Sequence, residues 1–208
     1  MFNPLDELRN LGPEAVIVGS GPTRFDYRRL MYVTSPVFFI NRAHALARFC
    51  RSKKQYFVTH HISQYRNVPL LRTIFIEQMW YEEGRDYAGH MSARVYPEGP
   101  YIPVKCQADD EVLTAEFFVK YPQLLDREFV AMFSRLVAGF GSATTAIHAA
   151  WFSGCQKLTM IGCNPDCPDN GYDLRLGQDL GEMAFAPEKV KENNRNLPGL
   201  LGMRVRYL

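Results

Sequence analysis

The feature that most constrains this chain is a short apolar run, residues 15–23, that breaks abruptly into glycines. Its first four residues, Ala-Val-Ile-Val, are small or β-branched and predict a buried strand. Glycines after a strand let the backbone turn tightly, and free N–H groups at such a turn suit a phosphate. An ordinary strand-to-loop turn is the alternative. The spacing of the glycines also differs from that of the dinucleotide-binding fingerprint. The predicted binding loop consists of Gly19, Ser20, Gly21, Pro22 and Thr23.

Composition places the chain among globular proteins and narrows its partners. The 208 residues suffice for one domain, 1–208, and an apolar content of 47% is too high for a disordered chain. The 24 basic and 22 acidic residues nearly balance, which argues against nucleic acid or an anionic membrane as the main partner. No apolar run approaches the ~20 residues that span a bilayer, and the first residues lack a signal-peptide core. The expected location is the cytoplasm, and the oligomeric state stays open, with a homo-oligomer among the options.

Apolar runs alternate with helical periodicities, which is typical of an α/β order. We predict strands at 15–18, 37–40, 56–59, 73–76, 158–162 and 203–207. We predict helical segments at 5–11, 25–30, 42–50, 124–137 and 144–152, the last with Ser142 as its N-cap. This order predicts a single Rossmann-like α/β domain, with a mostly parallel sheet flanked by helices.

The regular pattern dissolves between residues 77 and 110, where tyrosines, glycines, prolines and charges alternate. A loop of this length inside a compact domain is usually functional, for example a lid. We therefore predict a Tyr/Gly/Pro-rich, lid-like insertion at 77–110 within the single domain.

The cysteines and histidines give few candidates for chemistry. The five cysteines are scattered, without the second pair or histidine cluster that a zinc site needs, so we predict no metal site. His44 and His90 are expected at the surface. His148, on an alanine-rich helix, is expected in the core with a bond to a carbonyl. His60 and His61, directly after a predicted strand, form the only histidine pair.

Polar clusters follow four predicted strands. They are 19–23, 41–42, 60–61 and 162–164. In parallel sheets, ligands bind beyond the carboxyl ends of the strands, so these clusters are expected to converge on one site.

Three of these segments together resemble a known superfamily. They are the strand with Gly-Ser-Gly-Pro-Thr, the strand ending in Asn41, and Gly-Ser-Ala-Thr-Thr-Ala leading through a helix to the strand at 158–162. This set is similar to the Rossmann-like superfamily of bacterial family-42 sialyltransferases and a related group of archaeal-type 6-hydroxymethylpterin diphosphokinases. The similarity covers roughly residues 15–172, with the insertion unmatched. It implies a nucleotide-sugar-dependent glycosyltransferase that uses a CMP-sugar and requires no cofactor.

The resemblance implies roles for individual residues. The first glycine loop would lie against the nucleotide phosphate and ribose, and Asn41 would hold the nucleotide sugar. Ser142 would contact the nucleotide from a helix start. Gly162 and Asn164 would surround the cytidine and ribose, and Tyr172 would stabilise the leaving phosphate.

The chain departs from the superfamily pattern at three places. Gly139 stands where an arginine is expected, and Asp166 replaces the first of two phosphate tyrosines. No histidine follows Tyr172, where the superfamily has its base. His60 is therefore our candidate base, because a neutral imidazole has a pKa suited to proton transfer near neutrality.

The sequence leaves open two alternatives to a glycosyltransferase. One is a pyrophosphokinase of the 6-hydroxymethylpterin type, which would need Mg²⁺ with Asp166 or Asp169 as candidate ligands. The other is a nucleotide-binding protein without catalytic activity.

Overall fold

A computed structural model describes residues 4–59, 73–81, 101–107, 112–133, 135–137, 141–167 and 187–208. For 73–81, 101–107 and residue 135, the description concerns the backbone. The predicted base His60, its neighbour His61, and the candidates Tyr172 and Asp169 lie outside these residues. His90 and Gly139 do so too.

The described chain forms an eight-stranded sheet in which every neighbouring pair is parallel, in the order β6-β5-β4-β3-β2-β1-β7-β8. This confirms the predicted parallel sheet. The strands are β1 (Glu14–Val18), β2 (Val37–Ile40), β3 (Gln55–Thr59), β4 (Thr73–Tyr81), β5 (Tyr101–Gln107), β6 (Arg135–Val137), β7 (Lys157–Ile161) and β8 (Arg204–Tyr207).

Helical segments flank the sheet, as the sequence predicts for an α/β protein. The α-helices are α1 (Ala115–Lys120), α2 (Arg127–Phe133), α3 (Ser142–Phe152) and α4 (Pro187–Leu200). The 3₁₀ segments are Pro4–Leu8, Tyr27–Tyr32, Asn41–Phe49 and Pro122–Leu125.

The two faces of the sheet carry unequal layers. On one face α3 is buried along nearly its whole length, and its apolar residues join the larger core cluster with side chains of α1, α2 and α4. On the other face, the 3₁₀ segments Tyr27–Tyr32 and Asn41–Phe49 cover a smaller cluster. The central strands β1, β2 and β3 read as continuous apolar runs because both of their faces are covered.

The order of the strands reverses at β1. The chain runs from β1 outward through β2 to β6 and then returns to the other side of β1 as β7. Val16 consequently pairs with Val37 on one side and with Thr159 on the other. The loops that leave β1 and β7 therefore diverge at a topological switch point, the place where open parallel sheets bind ligands.

Two sequence expectations are wrong in their boundaries. The continuous helix predicted at 124–137 is instead a 3₁₀ segment, α2 and the edge strand β6. Asp126 separates the 3₁₀ segment from α2, because its carboxylate accepts the Glu128 N–H at 2.9 Å in a local turn. The predicted insertion begins inside a strand and contains another, since β4 extends to Tyr81 and β5 lies at Tyr101–Gln107. Residues 82–100 and 108–110 lie outside the described residues.

Helix α4 is an element that the sequence pattern did not predict. Its sequence contains three asparagines and an internal proline, Pro198, all of which are unfavourable inside helices. Tertiary contacts compensate: Asn193 is fully buried and its Oδ1 accepts the Leu113 N–H at 2.7 Å. Packing, rather than helix propensity, therefore determines this element.

Candidate functional site

Four of the predicted binding segments lie at the carboxyl edge of the sheet. The β1 loop, Asn41 after β2, and Gly162 and Asn164 after β7 all follow strand ends. Ser142 begins α3, which starts at this same edge because it follows the parallel strand β6. The structure thus brings together three of the four polar clusters that the sequence placed after strands, and the fourth, 60–61, lies outside the described residues.

The β1 and β7 loops are locked to one another through their backbones. The Gly19 N–H donates to the Ile161 carbonyl at 2.8 Å, and the Gly21 N–H donates to the Gly162 carbonyl at 2.9 Å. A Cβ on Gly19 would lie 2.2 Å from Cys163 Sγ, and one on Gly21 would lie 2.7 Å from the Gly162 oxygen. The glycines are therefore required for contact between the loops.

This contact corrects one part of the sequence argument. We expected the Gly19 and Gly21 N–H groups to be free donors for a phosphate, but both donate to protein carbonyls. The space expected for a phosphate beside Gly21 holds the Gly162 carbonyl instead. A ligand at this edge must therefore use other donors.

The hydroxyls of the β1 loop also stabilise the loop itself. Ser20 is buried and its Oγ donates to the Ile40 carbonyl at 3.2 Å, which joins the ends of β1 and β2. Thr23 Oγ1 accepts the Phe25 N–H at 3.1 Å. Pro22 is half-buried between them.

Asn41 and Ser142 meet where the end of β2 faces the start of α3. Asn41 has a φ of +49°, a left-handed conformation that asparagine tolerates better than most residues. Ser142 Oγ donates to Asn41 Oδ1 over a long 3.5 Å. Ser142 is the first helical residue rather than the predicted N-cap, a position that Gly141 holds without a side-chain bond.

The first turn of α3 holds a polar group that the sequence analysis missed. Thr144 is fully buried, and its hydroxyl has no partner among the described residues. The Gly-Ser-Ala-Thr-Thr run was the available signal, because hydroxyls rarely cluster in an otherwise apolar helix. The turn therefore combines the positive end of the helix dipole with hydroxyl groups.

Helix α4 begins at the same edge. A Cβ on Gly141 would approach Val190 to 3.9 Å, and Lys191 Nζ donates to the Cys167 carbonyl at 2.6 Å. The positive ends of two helix dipoles, those of α3 and α4, thus converge with the strand ends. This edge favours an anion.

Helix α4 supplies the counter-ion for the one described carboxylate of the β7 loop. Asn164 Oδ1 accepts the Asp166 N–H at 3.0 Å, and Asp166 in turn pairs with Arg195 of α4 at 2.8 Å. Among the described residues, no group of three histidines, cysteines or acidic residues could hold a metal ion. Asp166 is thus already engaged with a cation of the protein itself.

The two described histidines are both buried. His148 accepts the Val137 N–H at Nδ1, 3.2 Å, and its Nε2 donates to the Leu124 carbonyl at 2.9 Å, as expected for a packed histidine. His44 was expected at the surface, and this is wrong. It packs 4.5 Å from the Phe57 ring, and neither of its ring nitrogens has a partner in the described chain. Burial lowers the pKa of each imidazole to about 4.

Cys163 lies under the β1 loop. Burial raises the pKa of its thiol to about 12, although a hydrogen bond with the Gly19 backbone opposes this shift. The sulfur is therefore protonated near neutral pH and acts as a packing atom rather than a nucleophile.

Comparison with known proteins identifies no relative. No family model matches the chain, and no curated protein is significantly similar to it. Of the helices that the structure describes, none is long and apolar enough to cross a membrane.

Proposed function

We propose that this protein is a Rossmann-like glycosyltransferase that binds a nucleotide sugar at the carboxyl edge, with a CMP-sugar as donor. The observation that carries the proposal is the meeting of Asn41 with the first turn of α3, beside the start of α4. Anions bind at such helix starts because the terminal N–H groups and the dipole both favour negative charge. The sugar-transfer part comes from the resemblance to family-42 sialyltransferases.

The helix starts suit the leaving group of this reaction. When an acceptor hydroxyl attacks the anomeric carbon, the bond to the phosphate oxygen breaks and negative charge grows on the nucleotide phosphate. Donors and dipoles that already point at that charge stabilise the transition state without reorganisation. In this proposal the first turn of α3 fills that role, with Ser142 and Asn41 orienting the nucleotide.

Two further residues complete the proposed reaction, both outside the described residues. His60, after β3, would accept the proton of the acceptor hydroxyl, and Tyr172 would donate a hydrogen bond to the leaving phosphate. The two loops after β1 and β7 would hold the nucleotide by shape. Their glycine N–H groups already donate to carbonyls.

Calorimetric binding of CMP and of cytidine tests the phosphate site. We expect CMP to bind at least about tenfold more tightly than cytidine, because only CMP carries charge for the helix starts. Asn41→Asp should weaken CMP binding about tenfold to hundredfold and leave cytidine nearly unchanged. It should also raise the thermal midpoint of the free protein slightly, because a carboxylate at the start of α3 favours the helix dipole.

A matched control is available at the opposite edge of the sheet. Gln156 is exposed just before β7, so Gln156→Glu makes the same amide-to-carboxylate change far from the helix starts. CMP affinity should change less than twofold in this variant. Equal effects in both variants, or equal affinity for CMP and cytidine, would contradict the phosphate site.

Product analysis distinguishes the reactions. Acceptor-dependent release of CMP from a CMP-sugar in the presence of chelator supports the glycosyltransferase. Transfer from ATP to a pterin alcohol that requires Mg²⁺ would establish the pyrophosphokinase instead. CMP binding without any turnover would leave a nucleotide-binding protein.

A further inference from the structure

The amino edge of the sheet carries a cleft that the proposed reaction does not use. It has a volume of about 520 Å³, within the range of small-molecule sites. Three loops form its walls, and they are the loops that lead into β1, β2 and β3. Its lining comprises Leu11, Gly12, Pro13, Glu14, Thr34, Ser35, Pro36, Arg51, Ser52, Lys53 and Lys54.

The charges of this cleft are strongly unbalanced. Arg51, Lys53 and Lys54 come from one loop, and all three side chains are exposed. None of the three takes part in any ion pair within the described ranges. The chain as a whole is nearly neutral at +2, so three unpaired cations in one cleft are a local concentration of charge.

The only carboxylate in the lining is already neutralised. Glu14 Oε1 accepts from Lys157 Nζ at 2.8 Å, across the β1–β7 pairing. This ion pair is neutral as a whole, so the carboxylate does not offset the three cations. The cleft therefore presents a net positive field that no described acidic residue balances.

The walls of the cleft are held by buried hydrogen bonds, although its cations are exposed. Ser52 is buried, and its Oγ donates to the Ser35 carbonyl at 2.8 Å, which ties the second loop to the third. Gln55 is also buried and donates to the carbonyls of Cys50 and Ser52 at 3.1 and 2.9 Å. The loop that carries the three cations is thus fixed at both ends before any ligand arrives.

We propose that this amino-edge cleft is a second binding site, for a small anion that bears two or more phosphate groups. A single phosphate group carries about two negative charges at neutral pH, fewer than the three cations of the loop, whereas two or more phosphate groups can match all three. Lysine is a common point-charge partner of phosphates, and arginine binds them with a bidentate fork. The site is separate from the carboxyl edge and does not depend on nucleotide binding there.

Calorimetry with inorganic tripolyphosphate tests the site in the full-length protein. The Asn41→Asp background is used so that the carboxyl edge does not compete for the probe. We expect one tripolyphosphate per chain in this background. Adding Lys53→Glu and Lys54→Glu should weaken binding at least about tenfold, because two attractions become repulsions. Raising the salt concentration should weaken binding steeply in the background protein.

Two further variants separate a site from general charge. Lys120→Glu with Arg127→Glu makes the same change of charge on exposed residues of α1 and α2, and it should leave the affinity within about twofold. Glu14→Gln should strengthen binding two- to fivefold, because it releases Lys157 and removes the one carboxylate.

Three results would overturn the second site. No binding in the Asn41→Asp background would overturn the second site, as would equal loss in the two double variants. Weaker binding after Glu14→Gln would also overturn it. Circular dichroism of each variant checks that the fold is retained, which we expect because Asn41 is half-buried and the other substituted side chains are exposed.

Discussion

The two edges of the sheet are built in opposite ways. At the carboxyl edge, glycine loops contact each other through backbone atoms, and charge comes from helix dipoles. At the amino edge, the loops are joined by the Ser52 and Gln55 side chains, and charge comes from exposed cations. Substitutions in the glycine loops of the first edge should therefore affect folding and binding together, whereas substitutions of the exposed cations of the second should affect binding alone.

The largest expected effect of a single added methyl group is on the stability of the carboxyl edge. Gly19→Ala places a Cβ 2.2 Å from Cys163 Sγ and 2.7 Å from the Gly162 carbonyl. The sulfur can move, but the carbonyl belongs to the backbone, so the loops must separate. We expect a loss of about 2–3 kcal/mol in the free energy of unfolding, measured by urea denaturation.

A glycine at the amino edge provides the comparison. Gly12 has a φ of +118°, yet nothing lies within 4 Å of the Cβ that Ala would add. Gly12→Ala should therefore cost only backbone strain, about 1 kcal/mol. If Gly12→Ala proves the more damaging, the proposed contrast between the two edges fails.

The next expected effect concerns pH, because two buried histidines lie near the carboxyl edge. His148 holds the Val137 N–H at the end of β6, and His44 lies in the 3₁₀ segment that follows Asn41. The pKa of each is about 4 in the folded protein, against about 6.5 unfolded, so the unfolded chain binds more protons between these values. The contribution of the neutral histidines to the free energy of unfolding should be fully present above about pH 6.5. It should decrease as the pH falls towards 4, by up to about 3 kcal/mol per histidine.

Leucine substitutions distinguish the contributions of the two histidines to stability. His44→Leu removes no hydrogen bond, so stability at pH 7 should change by less than about 1 kcal/mol while its share of the acid sensitivity disappears. His148→Leu leaves the Val137 N–H and the Leu124 carbonyl unpaired in the core, and should cost about 2–4 kcal/mol at pH 7. Acid sensitivity that persists in full in His44→Leu would contradict a buried neutral imidazole at that position.

The sequence could predict the central strands but not all of the helical layer. Val-Phe-Phe-Ile and its neighbours form buried strands because their apolar character is local and continuous. Helix α4 was missed because its Asn193 and Pro198 are tolerated only through contacts with Leu113 and the core. His44 was misplaced because nothing local shows that Phe39 and Phe57 close over it.

The candidate site shows the same division between local and long-range information. The clustering of polar residues at strand ends could be predicted, since it follows from parallel strands sharing an edge. The function of the glycines could not, because the Gly19 and Gly21 N–H groups donate to the carbonyls of Ile161 and Gly162, more than a hundred residues later in the chain. The cations of the amino edge were likewise unremarkable in sequence, and the cleft appears only when three loops meet.

The smallest expected effect concerns Asp166, the one described carboxylate of the β7 loop. The sequence offered it as a Mg²⁺ ligand, yet Arg195 holds it at 2.8 Å and both side chains are exposed. An exposed ion pair of this kind contributes little to stability, because water and salt screen it. Asp166→Asn should therefore shift the thermal midpoint by less than about 2 °C, and CMP affinity should be nearly unchanged with or without Mg²⁺. Asn retains an oxygen for Arg195, so any loss would have to come from the missing charge. A Mg²⁺-dependent gain in CMP affinity that disappears in Asp166→Asn would show that the carboxylate binds metal. The carboxyl edge would then hold its phosphate through a cation, as the amino edge is proposed to do, rather than through helix starts.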